Sequence, residues 1–125
     1  AEIDEAVFVL PVLLLVTFGL INLAMVGFAG LNASNAANYG ARMASVAQAN
    51  QTSVASSAAN AMLSATRVGT YTVSVSTSGT PGSLVRVQVR YNVPNYFAGL
   101  AGLFGISSPA NWTGTARSDF RQEGW

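Results

Sequence analysis

Hydrophobic and polar positions divide this chain into stretches of different period. From Ala6 to Leu31 there is no alternation: Thr17 and Asn22 are the only polar side chains, and every face of a helix drawn through the segment is apolar. At 1.5 Å per residue such a helix is roughly 39 Å long, enough to cross a bilayer core with some tilt. Beyond Leu31 the pattern becomes a stripe. Tyr39, Met43, Val46, Asn50, Val54, Ala58, Met62 and Ala65 recur at three- and four-residue steps, and most are apolar. Alanine is abundant here and proline is absent from 12 to 80. The pattern predicts one helix from about residue 3 to about 66, on the order of 95 Å long, with bends expected at Gly40 and at NQTS (50–53). Arg67-Val68-Gly69 supplies its end, a cation in the last turn with glycine just after.

The period then changes to two. TYTVSVST (70–77) places Tyr71, Val73 and Val75 on one face, SGTPG (78–82) reads as a turn, and LVRVQVRY (84–91) alternates again. In the latter, Val85, Val87, Val89 and Tyr91 oppose Arg86, Gln88 and Arg90. WTGTARSDFR (112–121) is a weaker third strand with Trp112, Ala116 and Phe120 inward, which brings Asp119 near Arg86 or Arg90. A sheet this small needs a cover, and the upper helix stripe is the expected one. The expected class is α+β: a long N-terminal helix with a small antiparallel sheet packed on its C-terminal half. Residues 1–31 form the apolar helix segment and 32–125 the exposed globular domain. The connection NVPNYFAGLAGLFGISSPAN (92–111) has an apolar, glycine-rich centre. It reads either as filling for the helix–sheet core or as an exposed contact surface.

Composition sharpens this picture. Only 9% of residues are charged, against about a quarter in an ordinary soluble domain. With no His and no Cys, most metal sites and most nucleophile–base pairs are excluded, so no cofactor and no enzymatic activity are expected. The six basic residues are all Arg, none before Arg42, and they are spread along the chain. They read as a solvated surface, not a nucleic-acid interface.

Four details distinguish the apolar segment from a plain anchor. Its start is acidic and its run too long for a cleavable signal peptide. Pro11 interrupts the hydrogen-bonding pattern and is read as a bend. Gly19, Gly27 and Gly30, with Ala24, Ala29 and Ala33 among them, and Gly40 further on, are candidates for close helix packing. Glu5 stands at the hydrocarbon edge with no basic side chain near it in sequence, where a carboxylate is costly unless paired or wet. The α-amino group of Ala1 is a cation that can serve, more squarely between staggered neighbours than within one molecule. The missing Met and missing basic flank fit removal of a leader that carried the orienting charges. Asn-x-Ser/Thr sequons at Asn32, Asn50 and Asn111 are weak glycosylation candidates, Asn111 the best placed, in an expected loop.

In order along the chain these features resemble the TadE-like pseudopilins of tight-adherence pilus systems, within the wider type IV pilin-like group. The matching residues are Glu5, Leu10-Pro11, Phe18-Gly19 and Ile21, then Asn35-Ala36-Ala37-Asn38-Tyr39-Gly40-Ala41-Arg42 against a family block similar to N-A-A-R-E-G-A-R. LAGLFG (100–105) and Arg121-Gln122-Glu123 follow. The departures are Ala6 for a usual Phe, Asn22 where an acid is frequent, and Asn38-Tyr39 for Arg-Glu.

The resemblance implies a leader cut by a prepilin peptidase before Ala1, storage in the cytoplasmic membrane, and assembly by a platform and ATPase into a cell-surface filament. It also implies that Glu5 neutralises the terminal amine of an adjacent subunit. On this reading the chain is a structural filament subunit with itself as principal partner. The alternative is a minor pseudopilin or membrane-anchored accessory of a pilus or secretion machine. A virion coat or unrelated single-span protein, and an enzyme, stand behind these.

Overall fold

The computed structural model describes residues 2–66, 68–78, 80, 82–107 and 109–122. The apolar run and its alanine-rich continuation form one helix, α1 (Glu2–Ser45), unbroken through Pro11 and through Gly40. The helix does not continue to residue 66 as the sequence pattern suggested. The chain turns at Val46–Asn50 and folds back as a second helix, α2 (Gln51–Leu63). Asn50 makes the reversal in the left-handed region (φ 57°, ψ 43°), which Asn tolerates better than most side chains. Gln51 Nε2 donates to the Ala47 carbonyl at 3.1 Å and ties the turn together.

What folds the helix back is a stripe of small residues. Ala33, Ala36, Ala37, Ala41 and Ala44 of α1 are fully buried, as are Ala55 and Ala59 of α2, with Leu63 nearly so. In the expected stripe, by contrast, Tyr39, Met43, Val46 and Met62 remain exposed. Gly40 belongs to the small face: a Cβ there would stand 2.8 Å from the Ala55 carbonyl oxygen and 3.2 Å from the Ala59 methyl. The hairpin brings Ala55 and Ala59 onto α1 at Gly40, and both sets of alanines join one buried cluster with Val85, Val87 and Val89.

After α2, Gly69 (φ +78°) leads into the sheet, and a side chain there would strike the Asn92 carbonyl. Arg67, the expected C-terminal cation, lies outside the described residues. The sheet holds β1 (Thr70–Thr77), β2 (Leu84–Pro94) and β3 (Asn111–Arg121), antiparallel in that order. A short helix, α3 (Phe97–Leu103), sits in the β2–β3 connection.

The register sets one face in rows: Tyr71–Tyr91–Gly114, Val73–Val89–Ala116, Val75–Val87–Ser118 and Thr77–Val85–Phe120. This face meets the helices. Val85, Val87, Val89 and Val93 are fully buried, each contributing about 1.5–2 kcal/mol of apolar transfer. The opposite face is polar. Asp119 lies across from Arg86, not Arg90, and accepts from its Nε at 3.0 Å, while Arg117 Nε stands 3.6 Å away as an ion-pair neighbour. So exposed a pair stabilises by less than about 1 kcal/mol. At the hairpin end, Gly82 N–H donates to the Gln122 carbonyl and Gln122 N–H to Ser83. Gly79, Pro81 and Glu123, named in the turn and tail readings, lie outside the described residues.

The α+β class and the helix-covered three-stranded sheet agree with the sequence reading; the helix hairpin is the correction to it. Gly40→Leu should destabilise by about 2–3 kcal/mol, since the added side chain meets backbone. Gly27→Ala, with open space around it, should be neutral or stabilising by up to about 1 kcal/mol. Urea unfolding of the full chain in mild detergent compares the two. Equal stabilities would mean that α2 does not pack where described.

Candidate functional site

The lower half of α1 is uncovered. Ile3 and Phe8 are 80% and 76% exposed, and Val7, Val9, Leu10, Val12, Leu13, Leu14, Val16, Phe18, Leu20 and Ile21 all lie above 45%. The residues are apolar around the full circumference, so this surface is stable only inside lipid or against other apolar helices. By length and composition the helix is able to cross a membrane.

Asp4 and Glu5 project from its lower end, exposed. The first basic side chain along the helix is Arg42, in its last turn, so no basic side chain of α1 lies near Glu5. Ala1, whose α-amino group is the expected cation, lies outside the described residues. Pro11 has no N–H, which leaves the Val7 carbonyl without its usual intrahelical donor even though the helix continues.

Of the four glycines singled out for packing, three meet partners from the same chain. Gly19 lies under the Phe97 ring, whose Cδ2 and Cε2 would be 3.5 Å from an added Cβ. Gly30 receives the Tyr91 hydroxyl at 3.2 Å by the same measure. Gly40 takes α2 as described above. Gly27 faces open space. Tyr91 is held from both sides, because a side chain at Gly114, its register partner on β3, would occupy the place of its ring.

Asn22 is the residue whose role the sequence did not reveal. It is 3% exposed, and its Nδ2 donates to the Pro94 carbonyl at 3.1 Å. Its Oδ1 faces the Phe97 N–H at 3.5 Å, an amide that Asn95 Oδ1 also accepts at 3.1 Å. The signal was present: one amide in an otherwise apolar run needs a partner when buried. Asn22 thus fastens the bottom of the sheet to the helix.

Beside it, a cavity of about 280 Å³ opens between α1, α3 and β3, lined by Gly19, Asn22, Leu23, Val26, Phe97 and Trp112. The 92–111 connection is part filling and part exposed surface. Phe97 and Ala101 pack inward, while Tyr96, Leu103, Phe104 and Ile106 remain exposed. Among the described residues no group of His, Cys, Asp or Glu is placed to hold a metal ion.

The sequons differ in access. Asn111 opens β3 and is exposed, as is Asn50 in the helix turn. Asn32 lies within α1, its Nδ2 enclosed and without a hydrogen-bond partner.

Asn22→Leu removes the 3.1 Å bond to Pro94 and the longer 3.5 Å bond from the Phe97 N–H, and strands the Pro94 carbonyl, which costs about 1–3 kcal/mol. Hydrogen exchange should show faster exchange at Phe97 and through α3, with β1 unchanged. Unaltered α3 protection would remove Asn22 from this role.

Residues 3–42, the apolar run together with the first part of the alanine stripe, match the TadE-like protein family. No curated protein and no solved structure matches the chain. That segment, which holds the uncovered helix, Glu5, Asn22 and most of the small-residue face, is what the chain shares with TadE-like proteins.

Proposed function

We propose that this protein is a structural subunit of an extracellular pilus-like filament, polymerising through the lower half of α1. One observation carries the reading: the helix from Ala6 to Phe18 is apolar on every side, belongs to a TadE-like segment, and is left largely exposed by the rest of the chain. Burial against copies of itself would supply most of the assembly free energy.

Glu5 would set the stagger between neighbours. The TadE-like resemblance implies leader cleavage ahead of Ala1 by a prepilin peptidase. The amine so freed on one subunit would meet Glu5 of the next as the helix leaves the bilayer. A charge buried without its partner costs several kcal/mol, so misregistered packings are disfavoured. Before assembly the helix would sit in the cytoplasmic membrane, and a platform with its ATPase would drive extraction. No catalytic step is assigned to the chain.

Glu5→Ala should leave the protein in the membrane and lower filament yield by at least roughly tenfold, which needs only about 1.4 kcal/mol per added subunit. Glu5→Asp, with a shorter reach, should be intermediate. Normal filament yield from Glu5→Ala would remove the register role. Electron cryo-microscopy of material sheared from cells tests the subunit itself. Density tracing this chain with its apolar helix inward is the expected result. Filaments built from another chain, with this one at tips or in membranes, would establish the accessory role instead.

A further inference from the structure

We propose that the β2–β3 connection carrying α3 is a lipid-contacting collar that seats in the outer interface of the bilayer crossed by α1. The inference rests on the membrane-resident stage of the proposed function, and three independent features of the molecule converge on it.

The first is position. β2 descends along α1, with Tyr91 beside Gly30, Pro94 beside Asn22 and then Phe97 beside Gly19. β3 returns upward from Asn111 to Phe120, which lines a cavity with Tyr39, Met43 and Val46 near the top of α1. The connection at 95–110 is therefore the part of the globular unit nearest the bare helix.

The second is depth. From Ile3 to Asn22 the helix rises roughly 30 Å, the thickness of a hydrocarbon core. Asp4 and Glu5 hold the lower end at the aqueous boundary. Gly19 and Asn22 then reach the opposite boundary, and α3 with them.

The third is chemistry. No charged residue occurs from Asn92 to Ala116. Among the described residues Arg42, Arg86, Arg90, Arg117, Asp119 and Arg121 all lie on elements above the connection. The connection instead exposes Leu103 at 81%, Phe104, Ile106 and Tyr96, with the part-exposed Trp112 just beyond it at the start of β3. Trp and Tyr favour the headgroup level, where the ring is in apolar surroundings and its polar edge is wet. That level is hydrated, so the irregular backbone of the connection is tolerated there as it would not be in the hydrocarbon core. A second copy would also cover an apolar patch, but depth and the absence of charge match the bilayer edge directly.

The test uses the full chain in phosphatidylcholine–phosphatidylglycerol vesicles. The sequence has two tryptophans, so Trp125→Phe leaves Trp112 as the reporter. Phe104→Trp in a Trp112→Phe, Trp125→Phe background gives a second reporter on the collar, and Val12→Trp in that background reports the span. Phospholipids brominated shallowly or deeply on the acyl chain act as quenchers.

The collar predicts blue-shifted emission from Trp112 and Phe104→Trp, with greater intensity loss from shallow than from deep bromine. Val12→Trp should show the reverse order. If Val12→Trp is quenched and both collar reporters are not, the collar stands clear of the bilayer and the proposal falls while the span survives. If Val12→Trp is also unquenched, the membrane-resident stage itself fails. Collar emission that is unquenched but shifts blue as the protein-to-lipid ratio rises would assign the surface to a second copy and overturn the proposal.

Discussion

A helix of 44 residues extends about 66 Å, and a strand of 11 about 36 Å. That mismatch of length governs the molecule. The sheet and α2 cover the upper part of α1, and what lies below Gly19 has nothing from its own chain to cover it. Lengthening the strands would be the only intramolecular remedy, yet β2 ends at Pro94, which cannot donate to a further ladder. The chain therefore divides its apolar surface into a part resolved by folding and a part left for lipid or for neighbouring copies.

The two parts are built from different side chains. Above Gly30 the buried face of α1 is alanine and Gly40, which let backbones approach and specify a close fit with α2. Below it are Leu, Val, Ile and Phe, bulky and exposed on every side. Small residues make one geometry much better than its alternatives, whereas a uniformly greasy cylinder accepts many. On the proposed function, directional information at the lower end has to come from elsewhere, and Glu5 is the group there able to supply it.

Much of this was legible in the sequence because periodicity reports burial. The two-residue alternation of 84–91 gave the inward row Val85, Val87, Val89 and Tyr91 correctly, and the parity of Trp112, Ala116 and Phe120 followed. The reversal at Val46–Asn50 was not legible. Nothing in AQAN forbids helix, and the left-handed conformation of Asn50 is chosen by the packing of Ala55 against Gly40, a contact between positions that no local pattern links. The stripe was misplaced for a related reason. Large apolar residues at Tyr39, Met43 and Met62 dominate a hydrophobicity pattern, while alanines that pack through their backbones barely register. Asn22 stood out in composition, but its partner Pro94 lies 72 residues away. The assembly roles given to Ala1 and Glu5 are of another kind: they require a second molecule, so no intramolecular contact could have displayed them.

The Tyr91 ring lies between a glycine of the helix and a glycine of the sheet. Gly30 and Gly114 are far apart in the chain and sit in elements where glycine is individually unfavourable. Both are committed to the same phenol. A larger residue at either position leaves the ring nowhere to go, and a smaller residue at 91 leaves two gaps instead of one. A change at any one of these three positions therefore has to be answered at the other two, although they lie on three different elements.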